Sequence, residues 1–143
     1  MLEFVKYAPN VFVSDPIVTG LNSADLLVID HFARIGIDGQ IRSDDLDRLC
    51  GLARHPRVFV KVSAFYALGK KQPPYLDLAP MIRRLVEAYG VRRLMWASDS
   101  PFQVQGTHTY RASIELVQDK LDFLSDDDRG WLLRRTAEEV FFS

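Results

Sequence analysis

Three short apolar runs constrain the fold of this chain more than any other feature. They are rich in β-branched, leucine and aromatic residues, as strands covered on both faces are, and they span residues 25–30 (DLLVID), 58–63 (VFVKVS) and 93–98 (RLMWAS). Helical patterns fill the intervals between them. Strands that alternate with helices pair in parallel through right-handed crossovers, so the sequence predicts an α/β fold with the order β-α-β-α-β-α-α.

The helical patterns are apolar stripes that repeat every three or four residues. The stripes are Leu46, Leu49, Cys50 and Ala53; Leu78, Met81, Ile82, Leu85 and Tyr89; and Tyr110, Ile114, Val117 and Leu121. Ser43 is placed to cap the first helix, and Gly90 is placed to end the second. Ser125 with Asp128 three residues later predicts a capping box at the start of the last helix, residues 125–142.

Two architectures fit this order, an open doubly wound sheet and a part of a (β/α)8 barrel. No GxGxxG or GxxxxGK[ST] motif follows any of the three runs, so the usual nucleotide-binding versions lack their signature. Residues 1–24 are broken by Pro9, Pro16 and Gly20. They predict an irregular lead-in with a short strand at residues 11–13.

Composition narrows the classes of function. The chain has 143 residues, of which 48% are hydrophobic and 26% charged, a composition typical of one globular domain. Its formal net charge of -1 does not favour binding to nucleic acid or to an anionic membrane. Cys50 is the single cysteine, which excludes an intrachain disulfide. No apolar run approaches the roughly 20 residues of a membrane-spanning helix, and the first residues do not resemble a signal peptide. We therefore expect a cytoplasmic protein.

Polar side chains follow each predicted strand, at the edge where α/β proteins place their active sites. These residues are Asp30, His31 and Arg34 after the first strand, Lys61, Ser63 and Tyr66 around the end of the second, and Asp99 after the third. Their convergence on one edge predicts a site there. His108, in the loop after the third strand, is a weaker candidate.

Each of these residues also has a purely structural interpretation. Asp99 could cap the loop that follows it, and His31 could be a neutral histidine bonded to the backbone. Lys61 lies within an apolar strand, where an unpaired charge is costly, so it could belong to a structural ion pair. Tyr66 could be a loop-packing residue.

The chemistry that unites an aspartate and a histidine at such an edge is hydrolysis. Asp99 near a reacting water could accept its proton and pass it to the leaving group. His31 could bind a divalent metal or polarise a carbonyl directly. Arg34 and a hydroxyl would anchor a substrate carboxylate.

Four segments also carry a family likeness: VIDHFARIG, VFVKVSAFYAL, RLMWASDSPF and the closing TAEEVFF. In this order they resemble the carboxyl-terminal half of an amidohydrolase-related TIM barrel. The specific branch is the amidohydrolase 2 group, which includes 2-pyrone-4,6-dicarboxylate lactonase and related sugar lactonases. The resemblance runs from about Asp25 to Phe142, and it makes the third strand the eighth of a barrel.

The resemblance implies a hydrolase acting on a lactone, an amide or a related bond of a small carboxylated substrate. It makes Asp99 the general acid/base or a metal ligand, and it places His31 at the active site as carbonyl polariser or metal ligand. Arg34, Lys61, Ser63 and Tyr66 are then the expected substrate-binding residues. One divalent metal, zinc or manganese, is expected in some members of such a family and none in others.

Two features depart from the family pattern. The family has a His-x-His pair at the end of its first strand, and no two histidines here have that spacing. A full (β/α)8 barrel takes about 250 residues. We therefore expect barrel strands one to four to be absent, residues 1–24 to be a lead-in or replacement segment, and residues 25–143 to form the half barrel.

Three functional hypotheses follow. The first is a hydrolase that is incomplete alone and needs self-association or a complementing amino-terminal half. The second is a non-catalytic remnant that acts as an assembly or binding module. The third is an independent small α/β domain that binds a ligand at its strand ends.

Overall fold

The computed structural model describes residues 25–142. Within them, three strands form one parallel sheet in the order β1-β2-β3, with β1 at Leu27–Ile29, β2 at Val58–Val62 and β3 at Leu94–Trp96. All three predicted strands are confirmed. The predicted lead-in and its strand at residues 11–13 lie outside the described residues.

The central strand shows why these residues form a sheet. Val58, Val60 and Val62 are buried and alternate with the half-buried Phe59 and Lys61, because successive side chains of a strand point to opposite faces. The three valines join one hydrophobic core with the apolar faces of the helices. One face of the sheet therefore carries the core, and the other carries Lys61.

Helices follow each strand. Helix α1 spans Ser43–Gly51 and continues as a 3-10 turn, and helix α2 spans Ala79–Tyr89. Helix α3 (Tyr110–Glu115) continues as a π-helical segment, Leu116–Lys120. The last helix comprises α4 (Asp126–Gly130), a π-helical segment (Trp131–Arg135) and α5 (Thr136–Phe141). No helix among the described residues is long and apolar enough to cross a membrane.

The helix packing fits both predicted architectures. Helices α1 and α2 lie side by side, where the Tyr89 hydroxyl donates to the Leu49 carbonyl at 2.6 Å and Arg84 forms an ion pair with Asp47. Consecutive parallel strands whose crossover helices pack together on one face are the repeating unit of a (β/α)8 barrel, and they also form one half of a doubly wound sheet. The described residues thus form a βαβαβ unit that either fold can contain.

Helix boundaries test the capping predictions. The capping box is confirmed: the Asp128 amide donates to Ser125 Oγ at 3.1 Å, and the Ser125 amide donates to Asp128 Oδ2 at 2.9 Å. The cap at Ser43 is wrong. Arg42 is the N-cap residue of α1, and Ser43 is its first helical residue, with no side-chain capping bond at this end.

Helix α3 carries its predicted stripe only in part. Val117 and Leu121 are buried as predicted, whereas Tyr110 is 49% exposed and the buried side chains also include Ser113 and Leu116. Tyr110 is the first residue of the helix, and its ring meets the Trp96 ring edge-on with centroids 5.4 Å apart.

Candidate active site

The ends of all three strands meet at one cavity of about 200 Å³. Four of the predicted site residues line it, namely His31, Arg34, Tyr66 and Asp99, together with Ala64, Ala67, Leu68 and Phe102. The convergence predicted from the strand order is therefore present as a cavity.

Each strand end turns into this cavity through left-handed backbone. His31–Arg34, directly after β1, have φ angles of 51° to 61°, Ala64 after β2 has φ 58°, and Asp99 after β3 has φ 52°. None of these residues is glycine, and a left-handed conformation costs a non-glycine residue roughly 1–2 kcal/mol. Such strain persists only where the surrounding structure holds it, and it concentrates at functional sites.

The turn after β1 shows what holds the strain. Phe32 is fully buried in the core, with its ring centroid 6.2 Å from that of Phe65, and the Ala33 amide donates to the Asp30 carbonyl at 2.9 Å. Phe32 anchors the turn in the core. His31 and Arg34, which flank the Phe32–Ala33 pair, line the cavity.

His31 has a polar side chain on both sides of its ring. Its Nδ1 lies 2.7 Å from Ser63 Oγ, and its Nε2 lies 3.8 Å from Asp99 Oδ2. Ser63 is fully buried. If the Ser63 hydroxyl donates to Nδ1, the ring proton resides on Nε2 and faces the carboxylate, whereas the other tautomer would aim a lone pair at it. We assign the first arrangement on this ground.

Asp99 is held by a tyrosine. The Tyr66 hydroxyl donates to Asp99 Oδ2 at 2.9 Å. Burial raises the pKa of Tyr66 to about 12, aided by the hydrogen bond to Asp99 and the charge of that carboxylate, while Arg34 acts in the opposite direction. Tyr66 therefore remains a protonated donor at neutral pH and leaves the second carboxylate oxygen of Asp99 for another partner.

The other two predicted substrate-binding residues do not line the cavity. Lys61 Nζ lies 2.8 Å from Asp30 Oδ1 and 5.9 Å from the centroid of the Phe141 ring. This is the structural ion pair that an apolar strand would require. Ser63 contacts His31 instead of the cavity. The catalytic and binding roles of all six residues stay predictions.

The described residues do not complete a metal site. No group of three His, Cys, Asp or Glu side chains among residues 25–142 is placed to hold a metal ion. His31 and Asp99 supply two ligand types, whereas a catalytic zinc site uses three protein ligands. His31 Nδ1 is engaged by Ser63, and Asp30 is engaged by Lys61. The donor set of the described residues thus does not fit a metal by itself.

The cavity includes residues that sequence reasoning missed. Phe102 lines it and is 55% exposed, although it belongs to the SDSPF segment already singled out. Behind the cavity, Tyr75 and Gln103 are buried and hydrogen-bonded to each other, and Tyr75 is bonded to His108. No sequence pattern indicated Tyr75 or Gln103 as site residues. Both lie in loops, and 28 positions of the chain separate them.

Comparison with known proteins places these features in a family. The profile of a family described as amidohydrolase matches residues 26–142. The chain belongs to this amidohydrolase family.

Two curated relatives are lactone hydrolases. An L-fucono-1,5-lactonase from Burkholderia ambifaria is 32% identical over 107 residues, which cover 73% of this chain and 37% of that protein. A 4-sulfomuconolactone hydrolase from Hydrogenophaga intermedia is 31% identical over 74 residues, which cover 52% of this chain and 24% of that protein. The chain thus spans well under half the length of these relatives.

Solved structures show the same fold. A Pseudomonas putida protein described as a 2-pyrone-4,6-dicarboxylic acid hydrolase has a TM-score of 0.69 and 30% identity, over 82% of this chain and 43% of that one. A zinc-bound amidohydrolase from Burkholderia multivorans has a TM-score of 0.67 and 22% identity, over 80% and 43%, and at this identity shows the fold alone. The described residues therefore match part of an amidohydrolase barrel.

Proposed function

We propose that this chain supplies one side of the active site of a lactone hydrolase that acts on a small carboxylated substrate. The observation that carries the proposal is the placement of His31, Arg34, Tyr66 and Asp99, from three strand ends, around one small cavity. The lactonase relatives support the choice of a lactone over an amide. Cytoplasmic residence stays a prediction.

The reaction assigns one role to each side chain. The lactone carbonyl oxygen lies against the Nε2 proton of His31, which polarises it, and Asp99 accepts a proton from a water as the water oxygen attacks the carbonyl carbon. The ring C–O bond then breaks, and the departing oxygen takes the proton back from Asp99. Lactone and water become a hydroxy acid, with no net change at the protein.

Two further residues orient the reactants. Arg34 binds the substrate carboxylate, for which a guanidinium offers paired donors. Tyr66 holds Asp99 Oδ2 at 2.9 Å, so that the other oxygen faces the water. Orientation of this kind contributes to catalysis because it removes the entropy cost of assembling the reactants.

Paired substitutions test the assignment. In an assembly that completes the barrel, we expect Asp99→Asn and His31→Asn each to lower the kcat for hydrolysis of the carboxylated lactone 2-pyrone-4,6-dicarboxylate by about a hundredfold or more, measured by acid release. Asp38→Asn is the matched control, because Asp38 is exposed and pairs only locally with Arg42 at 2.6 Å. Equal rates for Asp99→Asn and Asp38→Asn would refute the proposed role of Asp99.

A second candidate is a binding or assembly module. The observation that favours it is the partial barrel: among residues 25–142 the sheet has three strands, with β1 and β3 at its edges, and the chain covers 43% of a matched barrel. Open strand edges pair readily with other strands. Light scattering, with calorimetry of lactone binding, separates the candidates: a self-associated protein that binds lactone without turnover would favour the module.

A further inference from the structure

A second hydrogen-bonded cluster lies behind the cavity, and the proposed chemistry leaves it unused. It consists of Tyr75, Gln103 and His108. Tyr75 is 1% exposed and Gln103 is fully buried. Buried polar side chains are costly unless they are hydrogen-bonded, so a set of them beside a reaction site calls for a reason.

The direction of each hydrogen bond in the cluster follows from one carbonyl. Gln103 Nε2 lies 3.3 Å from the Thr109 carbonyl oxygen, which can only accept, and the same nitrogen lies 2.9 Å from the Tyr75 hydroxyl. Tyr75 therefore accepts from Gln103 and has its own proton to give. The next partner, His108 Nδ1, lies 2.9 Å away. His108 accepts at Nδ1, so it is the neutral ring with its proton on Nε2.

Gln103 also closes the loop that carries the aspartate. Its backbone amide donates to the Asp99 carbonyl at 3.1 Å, while its side chain donates to the Thr109 carbonyl. One buried residue thus ties the two ends of the segment from 99 to 109, which contains His108. A change at Gln103 or at its partner Tyr75 would reach Asp99 through this loop.

The rings connect the cluster to Tyr66. The His108 ring is nearly parallel to that of Tyr75, with an interplanar angle of 14° and centroids 6.0 Å apart, and it meets the Tyr66 ring at 66°, with centroids 6.2 Å apart. Aromatic pairs at such distances prefer offset or edge contacts of this kind. His108 therefore lies between the two tyrosines, and Tyr66 reaches Asp99 from the other side.

We propose that Gln103, Tyr75 and His108 are positioning residues that hold the Tyr66 hydroxyl on Asp99. Their relevance to catalysis rests on the proposed function, because only there is Asp99 the general base. The hydrogen-bonded chain fixes the His108 ring, and the ring supports Tyr66. None of the three is assigned a contact with substrate.

Two variants of His108 separate ring support from hydrogen bonding. His108→Phe keeps a ring against Tyr66 but loses the acceptor for Tyr75, whereas His108→Asn keeps a hydrogen-bonding group and loses the ring. The full chain is labelled at tyrosine Cζ for NMR, and the signal of Tyr66 is identified by its loss in Tyr66→Phe. In the wild-type protein the pKa of Tyr66 is expected near 12. We expect His108→Asn to lower it toward the ordinary value of 10 and His108→Phe to leave most of the elevation.

Tyr75→Phe tests the chain of hydrogen bonds, with a matched control. Tyr89→Phe also removes a buried hydroxyl, one that donates to the Leu49 carbonyl in the α1–α2 contact. Nitrogen NMR of the wild-type protein is expected to show His108 with its proton on Nε2. Tyr75→Phe should populate the other tautomer and lower the pKa of Tyr66 only as far as His108→Phe does, because both variants lose the same hydrogen bond and keep the ring. Tyr89→Phe should do neither.

The titration runs from about pH 8 to about pH 11, where a Tyr66 with a pKa near 12 stays protonated and one with a pKa near 10 loses its proton, and it does not depend on hydrolysis. If no variant other than Tyr66→Phe changes the Tyr66 signal, the positioning proposal is wrong, even where Asp99→Asn abolishes activity. A wild-type His108 protonated on Nδ1 would overturn the assigned bond directions. If the titration behaves as expected but the wild-type chain hydrolyses no lactone even in an assembly that completes the barrel, the cluster stands and the proposed function fails.

Discussion

His31 Nε2 and Asp99 Oδ2 face each other across 3.8 Å, although 68 positions separate them in the chain, from 31 to 99. The distance is too long for a direct hydrogen bond. It leaves room for the two groups to act on one substrate, with the histidine at a carbonyl oxygen and the aspartate at a water. Each group is held from behind, His31 by Ser63 and Asp99 by Tyr66.

Ser63→Ala removes the group that orients His31. The ring then loses its partner at Nδ1 and can exchange its proton between the two nitrogens, so we expect the kcat for lactone hydrolysis to fall by about tenfold to a hundredfold. Nitrogen NMR of His31 should show the change of tautomer directly.

Ser113→Ala is the matched control for this change. Ser113 is also buried, and its hydroxyl accepts from Trp96 Nε1 at 3.2 Å on the far side of β3. A similar loss of activity in both serine variants would mean that Ser63 acts only through stability.

Arg34→Gln tests the anchor for the substrate carboxylate. A hydrogen bond to a charged group contributes roughly 1.5–3 kcal/mol, so we expect KM for a carboxylated lactone to rise by about tenfold to a hundredfold. An uncharged lactone should be affected much less. Initial rates measured over a range of concentrations of each lactone give the two KM values and check the difference.

Arg42→Gln serves as its control, because Arg42 is an exposed arginine that pairs with Asp38. If Arg34→Gln raised KM equally for charged and uncharged lactones, the anchor would have to be another residue.

The sequence predicted the elements whose signal is local. The valines that alternate along β2 and the apolar stripe of α2 are periodic patterns that predict which side chains are buried. In the structure, these valines and most residues of the stripe are buried. The predicted cap at Ser43 failed by a single position, which is the usual uncertainty at a helix boundary. The stripe of α3 held at Val117 and Leu121 and failed at Tyr110, the first residue of the helix, which is 49% exposed.

The candidate site was predictable only in part, for a physical reason. The strand order brings His31 and Asp99 to one edge whatever the loops do, so their proximity follows from topology. The left-handed turn at His31–Arg34 does not follow from topology, because residues other than glycine seldom adopt it. Here the burial of Phe32 and the hydrogen bond from the Ala33 amide to the Asp30 carbonyl help to hold it. The partners of His108 depend on loop packing, which no periodicity encodes.

Lys61→Met separates the two interpretations of this lysine. The ion pair with Asp30 predicts a loss of about 1 kcal/mol in the free energy of unfolding, because the Lys61 side chain is 22% exposed and that of Asp30 43%, so solvent screens the pair. KM for the lactone should stay within about twofold. Urea unfolding and steady-state kinetics of the same preparation measure both quantities.

If Lys61→Met left the free energy of unfolding unchanged and raised KM about tenfold, Lys61 would instead be a substrate-binding residue. Asp30→Asn is the companion variant. It breaks the same ion pair from the other side, so the structural interpretation requires it to destabilise the protein to a similar extent.

The two serines at helix starts give a stability test that is independent of function. Ser125→Ala removes the side-chain half of a capping box and should lower the free energy of unfolding by about 1 kcal/mol at neutral pH, whereas Ser43→Ala removes no capping bond and should change it little. The difference should also depend on pH. Hydrogen bonds from the Ser125 side chain and backbone hold the pKa of Asp128 below its ordinary value.

A depressed carboxyl pKa stabilises the folded state fully above the unfolded value, near 3.9, and this contribution is lost as the pH falls through the lower folded value. The penalty of Ser125→Ala should therefore be largest at neutral pH and shrink below about pH 4. It should not vanish, because the Asp128 amide still donates to Ser125 Oγ in acid. Urea titrations at about pH 7 and about pH 3 measure the change, and a penalty that grew in acid would contradict the capping-box account.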